Sequence, residues 1–362
     1  AAGLSEFISY GESVDLEEKA NSWTLNSSTS LRWWDGRNSD FGSSFLFLTY
    51  LADKLGGPAA IRELVSNPSL GGTGVESLSR NPGPGSTPIG TSMSEIFANF
   101  SAAVTLDSAQ GAFGFSDLDL VDDCSNGGFC KGSISAENDQ WSEAWQSSGH
   151  SVEGWGLKSF RFTQGDGFPL SIMVQPDRFG FEGAVLSKED DSGTWTMDKL
   201  RIDSSDGRGT GLVHGFGNAT SEVLLLVWYN SLVDDCDYDF ANCGVLSGGN
   251  YPVGSFSVSV SQVTSPAEVS IGSKEGFDRD GDFLDDSVEI GIDVSSSAFS
   301  ESLSVEFSAF TNNSLHDSAD LMVTVGNSEP EIISVWFTPP FTSDWTFTAE
   351  VRDITGELQD LA

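Results

Sequence analysis

The hydrophobic period of this chain switches from helical to strand-like partway along, so no single type of layer accommodates all of it. Residues 1–107 read as helical. Phe41 to Leu55 is a mostly apolar run that Gly56 and Gly57 stop, and Pro58 is well placed in the first turn of a following helix, Pro58 to Ser66. Ser92 with Glu95 forms a capping box ahead of Ile96, Phe97, Phe100 and Val104, and predicts a helix from about 93 to 106. The Pro- and Gly-rich stretch 81–90 separates two helices without having to separate domains.

From about residue 151 the period is two. Phe256, Val258 and Val260 alternate with serines, and Val223 to Trp228 is a continuous apolar run suited to a central strand. After Pro266 and the acidic stretch at 278–289 the alternation returns in Leu303, Val305 and Phe307, and again in Trp345, Phe347, Ala349 and Val351. A length of 362 residues exceeds what one core normally organises. The expected class is therefore α+β and multidomain: a helical N-terminal region followed by two antiparallel β-sandwich modules. The expected boundaries are 1–107 for the helical region, 108–150 for a Gly/Asp-rich linker with a disulfide, and 151–265 for the first sandwich. A linker carrying the acidic loop, 266–290, and the second sandwich, 291–362, complete the chain.

Charge narrows the partners. Lys and Arg total 17 against 54 Asp and Glu, a formal net charge of -37, which repels nucleic-acid phosphates and anionic lipid surfaces. Such an excess of carboxylates suits a salty medium that screens self-repulsion, a surface that holds divalent cations, or both. No apolar run approaches the roughly eighteen residues of a membrane-spanning helix, so no membrane insertion is expected. The first residues lack the charged-then-apolar pattern of a secretory leader, as expected of a processed product or a fragment.

The four cysteines form two close pairs, Cys124 with Cys130 and Cys236 with Cys243, each closing a Gly-, Asn- and Asp-rich loop. Two local disulfides and an oxidising compartment are expected; a four-cysteine metal site is the rival, with spacers longer than zinc sites use. Asn-x-Ser/Thr triplets begin at Asn26, Asn99, Asn218 and Asn312, candidate glycosylation sites of an exported chain.

Calcium has a specific candidate. Asp278, Asp280, Asp282, Asp286 and Glu289 occupy positions 1, 3, 5, 9 and 12 of a twelve-residue loop. Calcium takes six to eight oxygen ligands, and this spacing wraps carboxylates around one centre with Glu289 as the bidentate closer. Phe283 stands where the usual loop has the Gly of its sharp turn, a departure that weakens helix-loop-helix geometry more than ion binding. The loop resembles the short Asp-x-Asp-x-Asp repeats between domains of secreted bacterial and archaeal proteins, which implies a structural ion. The alternative is a solvated acidic turn. Asp234, Asp235, Asp237 and Asp239, around the second cysteine pair, are a secondary candidate.

The helical region carries a further resemblance. Gly3 to Phe7, Asp40-Phe41-Gly42 continuing to Tyr50 and Gly57, Ile61 to Val65 with Asn67-Pro68, Gly74-Val75-Glu76, and Glu95 to Phe97 with Leu106-Asp107 stand in one order. Together they resemble a series in secreted zinc metallopeptidases of the hyicolysin-like group, within the gluzincin class. The resemblance implies a helical subdomain in which a His-Glu-x-x-His helix gives two zinc ligands and the general base, and a Glu in an Asn-Glu-Gly-Leu segment gives the third ligand.

Neither ligand set stands here. The histidines are His150, His214 and His316, none in that motif, and Ala2 occupies the position of the ligand Glu. Glu6 lies one turn further along, and Phe41 stands where relatives often have Tyr. Zinc is therefore expected only if an upstream segment supplies ligands; otherwise the chain is a relative that kept the fold for binding or assembly. Neither a Gly-x-Ser-x-Gly elbow nor a phosphate-binding loop is present, and paired carboxylates such as Asp122-Asp123, Glu189-Asp190-Asp191 and Asp234-Asp235 read as turns or extra calcium ligands, with a glycosidase acid pair as the alternative. The expected role is an extracellular or cell-surface, metallopeptidase-like, non-catalytic calcium-binding protein. Its expected partners are a protein or glycan at the surface, a second copy, or an upstream segment. A structural subunit of an extracellular layer and the C-terminal part of an active zinc protease are the alternatives.

Overall fold

In the computed structural model the described residues are 2–11, 13–32, 36–67, 71–108, 111–138, 144–190, 192–230, 253–263, 267–277, 287–296, 298, 300–311, 314–326, 331–337, 345–353 and 358–361. Among the described residues six helices come first: α1 (Ala2–Tyr10), α2 (Val14–Thr24), α3 (Asn38–Leu55), α4 (Pro58–Ser66), α5 (Gly71–Arg80) and α6 (Met93–Leu106). Their ends follow local chemistry. The Ser13 hydroxyl accepts from the Leu16 amide at 3.3 Å, with Asp15 and Glu17 in the first turn of α2 where the helix dipole favours anions. Gly56, at φ 114°, ends α3 in a left-handed cap that a β-carbon would strain, and Pro58 opens α4. Ser92 and Glu95 form the expected capping box of α6.

Two two-residue strands, β1 (Leu120–Val121) and β2 (Phe129–Cys130), then pair in parallel beside the helices. The first sandwich is built from β3 (Ile134–Asn138), β4 (Ala144–Glu153), β5 (Leu157–Thr163), β6 (Leu170–Pro176), β7 (Phe181–Glu189), β8 (Trp195–Lys199), β9 (Arg201–Ile202), β10 (Gly209–Val213), β11 (Thr220–Tyr229) and β12 (Val253–Gln262). One sheet runs β4-β12-β6-β10-β9 and the other β3-β5-β11-β7-β8, antiparallel except where β3 meets β5. The second sandwich contains β13 (Glu268–Phe277), β14 (Ser287–Ser295), β15 (Ser300–Thr311), β16 (Ser314–Gly326), β17 (Glu331–Phe337), β18 (Trp345–Asp353) and β19 (Leu358–Leu361). Its sheets run β13-β14-β17 and β16-β15-β18-β19.

The apolar run in β11 has a structural reason. Leu224, Leu226 and Trp228 project into the core shared with the helices, while Val223, Leu225, Val227 and Tyr229 project into the core between the two sheets. A strand buried on both faces needs no polar alternation. Helices, middle sheet and outer sheet thus form three layers, and the second sandwich has its own core around Ile290, Ile292, Val305 and Val351.

Two expected boundaries differ from the structure. Within 108–150, Phe115, Leu118, Leu120 and Phe129 are buried in the helical core, and β3 and β4 already belong to the first sandwich. The Gly, Ser and Asp content that reads as a linker is that of turns and of a polar edge strand, β4, whose residues are mostly exposed or half-buried. Within 266–290, β13 and β14 pair antiparallel from Glu268↔Ser295 to Phe277↔Ser287. The acidic stretch therefore joins two paired strands of the second sandwich and does not link two domains.

Candidate functional site

A polar seam lies where the segment after α2 meets the turn between β4 and β5. Leu157 N donates to Ser27 O at 2.6 Å, Glu153 N to Ser28 O at 2.9 Å and Leu31 N to Trp155 O at 3.2 Å. The Ser27 hydroxyl donates to Leu157 O at 3.1 Å, and the Ser30 hydroxyl to Gly154 O at 2.6 Å. A β-carbon on Gly156 would stand 2.3 Å from Ser28 O, so this close approach needs glycine.

Charge reinforces the seam. Glu153 accepts from Ser30 N at 2.8 Å and from the Arg37 guanidinium at 3.3 and 3.4 Å. Arg37 also donates to Asp40, from its amide at 2.9 Å and from Nε at 3.3 Å. Asp40 is 1% exposed, and its carboxylate fixes the first turn of α3. Beside the seam, Phe97 packs between Trp155 and Trp228, at centroid distances of 5.3 and 6.1 Å.

The positions carried by the metallopeptidase resemblance fall on this layer. Leu4 is buried and Phe7 meets Phe45 edge-on at 5.6 Å, which docks α1 on α3. Ala2 and Glu6 are on α1, their side chains outside the described set. Phe41 is 41% exposed, with the Lys19 ammonium 5.3 Å from its ring centroid.

Among the described residues the histidines stand apart. His150, on β4, lies against Phe160 at 4.9 Å and Phe256 at 5.4 Å, with Nε2 2.8 Å from Ser147 Oγ. Burial first, and then Lys158, lowers its pKa from the usual 6.5. His214 is in the turn after β10 and His316 is on β16, so the three histidines belong to separate elements. Among the described residues no three His, Cys, Asp or Glu side chains group to hold a metal ion.

Asp278, Asp280, Asp282 and Asp286 lie outside the described residues, as do Asp234, Asp235, Asp237 and Asp239. Glu289 is on β14, its backbone paired with Glu275 and Trp336, and its side chain is outside the described set. Cys124 and Cys130 are joined in a disulfide; Cys236 and Cys243 fall outside the described residues. The disulfide loop rests on α2, where Asn21 accepts from Cys130 N at 2.7 Å and donates to Gly128 O at 2.9 Å. Asp122 pairs with Lys131 at 3.2 Å and Asp123 accepts from Ser125 N at 2.9 Å, so this carboxylate pair shapes a turn.

The candidate glycosylation sites separate by environment. Asn26 and Asn218 are exposed, whereas the Asn99 amide donates to Glu95 O at 3.0 Å and Ile89 O at 3.2 Å; Asn312 is outside the described residues. Trp145 is half-buried and packs against Phe162 and Phe160 of the sandwich core, at 5.6 and 6.2 Å.

The class these layers define is a mixed helical and mostly antiparallel β-sandwich protein. No protein-family model matches the chain, and no curated protein does. Solved structures give partial likenesses. One is Bacteroides uniformis beta-glucuronidase 2 covalently bound to cyclophellitol-6-carboxylate aziridine, at 14% identity and TM-score 0.20, covering 57% of this chain and 25% of that one. A putative beta-galactosidase from Bacteroides fragilis gives 14% identity, TM-score 0.21, and 59% and 33% coverage. A mutant of the periplasmic inhibitor of g-type lysozyme from Escherichia coli gives 13% identity, TM-score 0.21, and 36% and 98% coverage. This chain thus spans a quarter of the glucuronidase's length, and at these scores the likenesses carry no argument about activity. No helix among the described residues is long and apolar enough to cross a membrane.

Proposed function

We propose that this chain is an extracellular, calcium-binding scaffold: a metallopeptidase-like helical layer that does no catalysis and presents β-sandwich modules for binding at a cell surface or for assembly. The observation that carries the reading is the commitment of Asp40. In the Asp-Phe-Gly segment of the resemblance, this carboxylate is buried and hydrogen-bonded to Arg37, which in turn holds Glu153. Its oxygens serve the join between helices and sheet, a structural use. Ala2 in place of a ligand Glu and three scattered histidines agree with it.

The Cys124–Cys130 disulfide supports an oxidising location. Calcium is assigned to Asp278, Asp280, Asp282, Asp286 and Glu289 on their spacing, and in this reading the ion stiffens the connection between β13 and β14. The test is a peptidase assay on the purified protein with added zinc, together with thermal melts with and without a calcium chelator. The expected results are no peptide cleavage and a lower melting temperature under chelation, matched by Asp280→Ala without chelator. Zinc-dependent cleavage would overturn the non-catalytic reading, and unchanged melts in both cases would remove calcium from it.

A further inference from the structure

A groove of about 330 Å3 opens at the edge of the first sandwich beside the N-terminus of α6, and its volume falls in the usual small-ligand range of about 300–1,000 Å3. Its apolar lining comes from Phe181, Leu200 and Ile202, the last 40% exposed. Next in sequence to Gly180 of the lining, in the turn between β6 and β7, the Phe179 ring is 61% exposed and has one edge against Gly207, where a β-carbon would stand 3.1 Å from its Cδ1. An aromatic ring this exposed, with one edge seated on a glycine, leaves a face open for stacking.

The polar lining is fixed and electrically balanced. The Glu182 carboxylate accepts from the Ser94 hydroxyl and from the Asn230 side-chain amide, two neutral donors. The Asn230 backbone N–H in turn donates to Gly180 O at 2.7 Å, which holds the amide in place. Lys199, also in the lining, is 3.5 Å from Glu95. The groove therefore presents one carboxylate, one amide and one ammonium side chain above an apolar floor.

We propose that this groove binds a neutral saccharide. The protein's net charge of -37 repels anionic ligands, and one ammonium already facing Glu95 does not compensate that field. A cationic ligand would meet Lys199 and find a single acidic partner in the lining, Glu182, too little charge to offset that repulsion. A pyranose ring suits what is left: hydroxyls that donate to Glu182 and accept from Lys199 or Asn230, and an apolar C–H face that stacks on Phe179. The assignment is independent of the zinc and calcium questions, since none of its residues belongs to either candidate metal set.

The test is calorimetric titration of the full chain with neutral cello-, manno-, xylo- and chito-oligosaccharides, with oligogalacturonate as the anionic control and spermidine as the cationic one. At least one neutral saccharide is expected to bind, and Phe179→Ala is expected to weaken it about tenfold or more without changing the melting temperature. Ile202→Glu, which puts a second carboxylate on the floor from an exposed position, is expected to weaken it too, and serves if the first variant does not fold. Absence of binding by every neutral saccharide at about 10 mM overturns the proposal, as does binding that neither variant alters. Tighter binding of either charged control overturns it as well.

Discussion

Gly42 has no room for a side chain. A β-carbon there would stand 1.9 Å from Lys19 O and 2.6 Å from Lys19 C, so α2 and α3 cross at the width of a bare backbone. Gly42→Ala must push the helices apart, and overpacking of this kind costs about 1–3 kcal/mol, to be read as a lower urea midpoint. Its neighbour behaves oppositely. Phe41 is exposed, so Phe41→Tyr is expected to leave stability within about 0.5 kcal/mol and, because Ala2 and Asp40 are unchanged, to confer no peptidase activity. His150 sets a pH dependence. Its pKa is lowered in the folded protein, so the unfolded chain binds the proton more readily; stability from the neutral imidazole is complete above 6.5 and is lost as pH falls through the lower folded value. Urea midpoints measured downward from pH 6.5 should fall more steeply in the native protein than in His150→Gln; equal slopes would remove His150 as the cause.

At the scale of elements, α6 rests on its cap. Glu95 accepts from Thr91 N at 2.8 Å and Ser92 N at 3.2 Å, and these bonds hold its pKa down at about 2. A carboxylate lowered in this way gives its stability above the ordinary 4.5 and loses it as pH falls through about 2, so the cap outlasts mild acid. Ser92→Ala is expected to cost about 1 kcal/mol in a denaturant titration. The Cys124–Cys130 loop staples the segment that α2 supports, and replacing both cysteines with Ala should cost roughly 2 kcal/mol, with faster amide exchange at Gly128 and Cys130, the amides docked on Glu17 and Asn21. These elements were legible because their signals are local: Gly56 after Leu55, Ser92 with Glu95, a pair of cysteines seven residues end to end. What was hidden depends on distant partners. Arg37 meets Glu153 across 116 positions, and Phe115, Leu118 and Phe129 sit among Gly, Ser and Asp residues that disguise their burial against the helices. β4 does not stand out in the sequence because an edge strand with solvent on one side can be almost wholly polar.

At the scale of the molecule, two facts govern behaviour: the helices share one core with the middle sheet, and the surface carries far more carboxylates than cations. The shared core means that the helical layer should not melt apart from the first sandwich, and the second sandwich, with a core of its own, is the part able to unfold separately. That second module holds the connection from β13 to β14 on which the calcium assignment rests. Of the candidate site, the carboxylate spacing was visible in sequence, while the structural use of Asp40 required the fold to bring Arg37 and Glu153 together. Elemental analysis of the purified protein, dialysed against metal-free buffer without chelator, tests the central claim most directly. A calcium-holding, non-catalytic scaffold predicts retained calcium near one equivalent per chain and no stoichiometric zinc; one zinc per chain with calcium absent would contradict it.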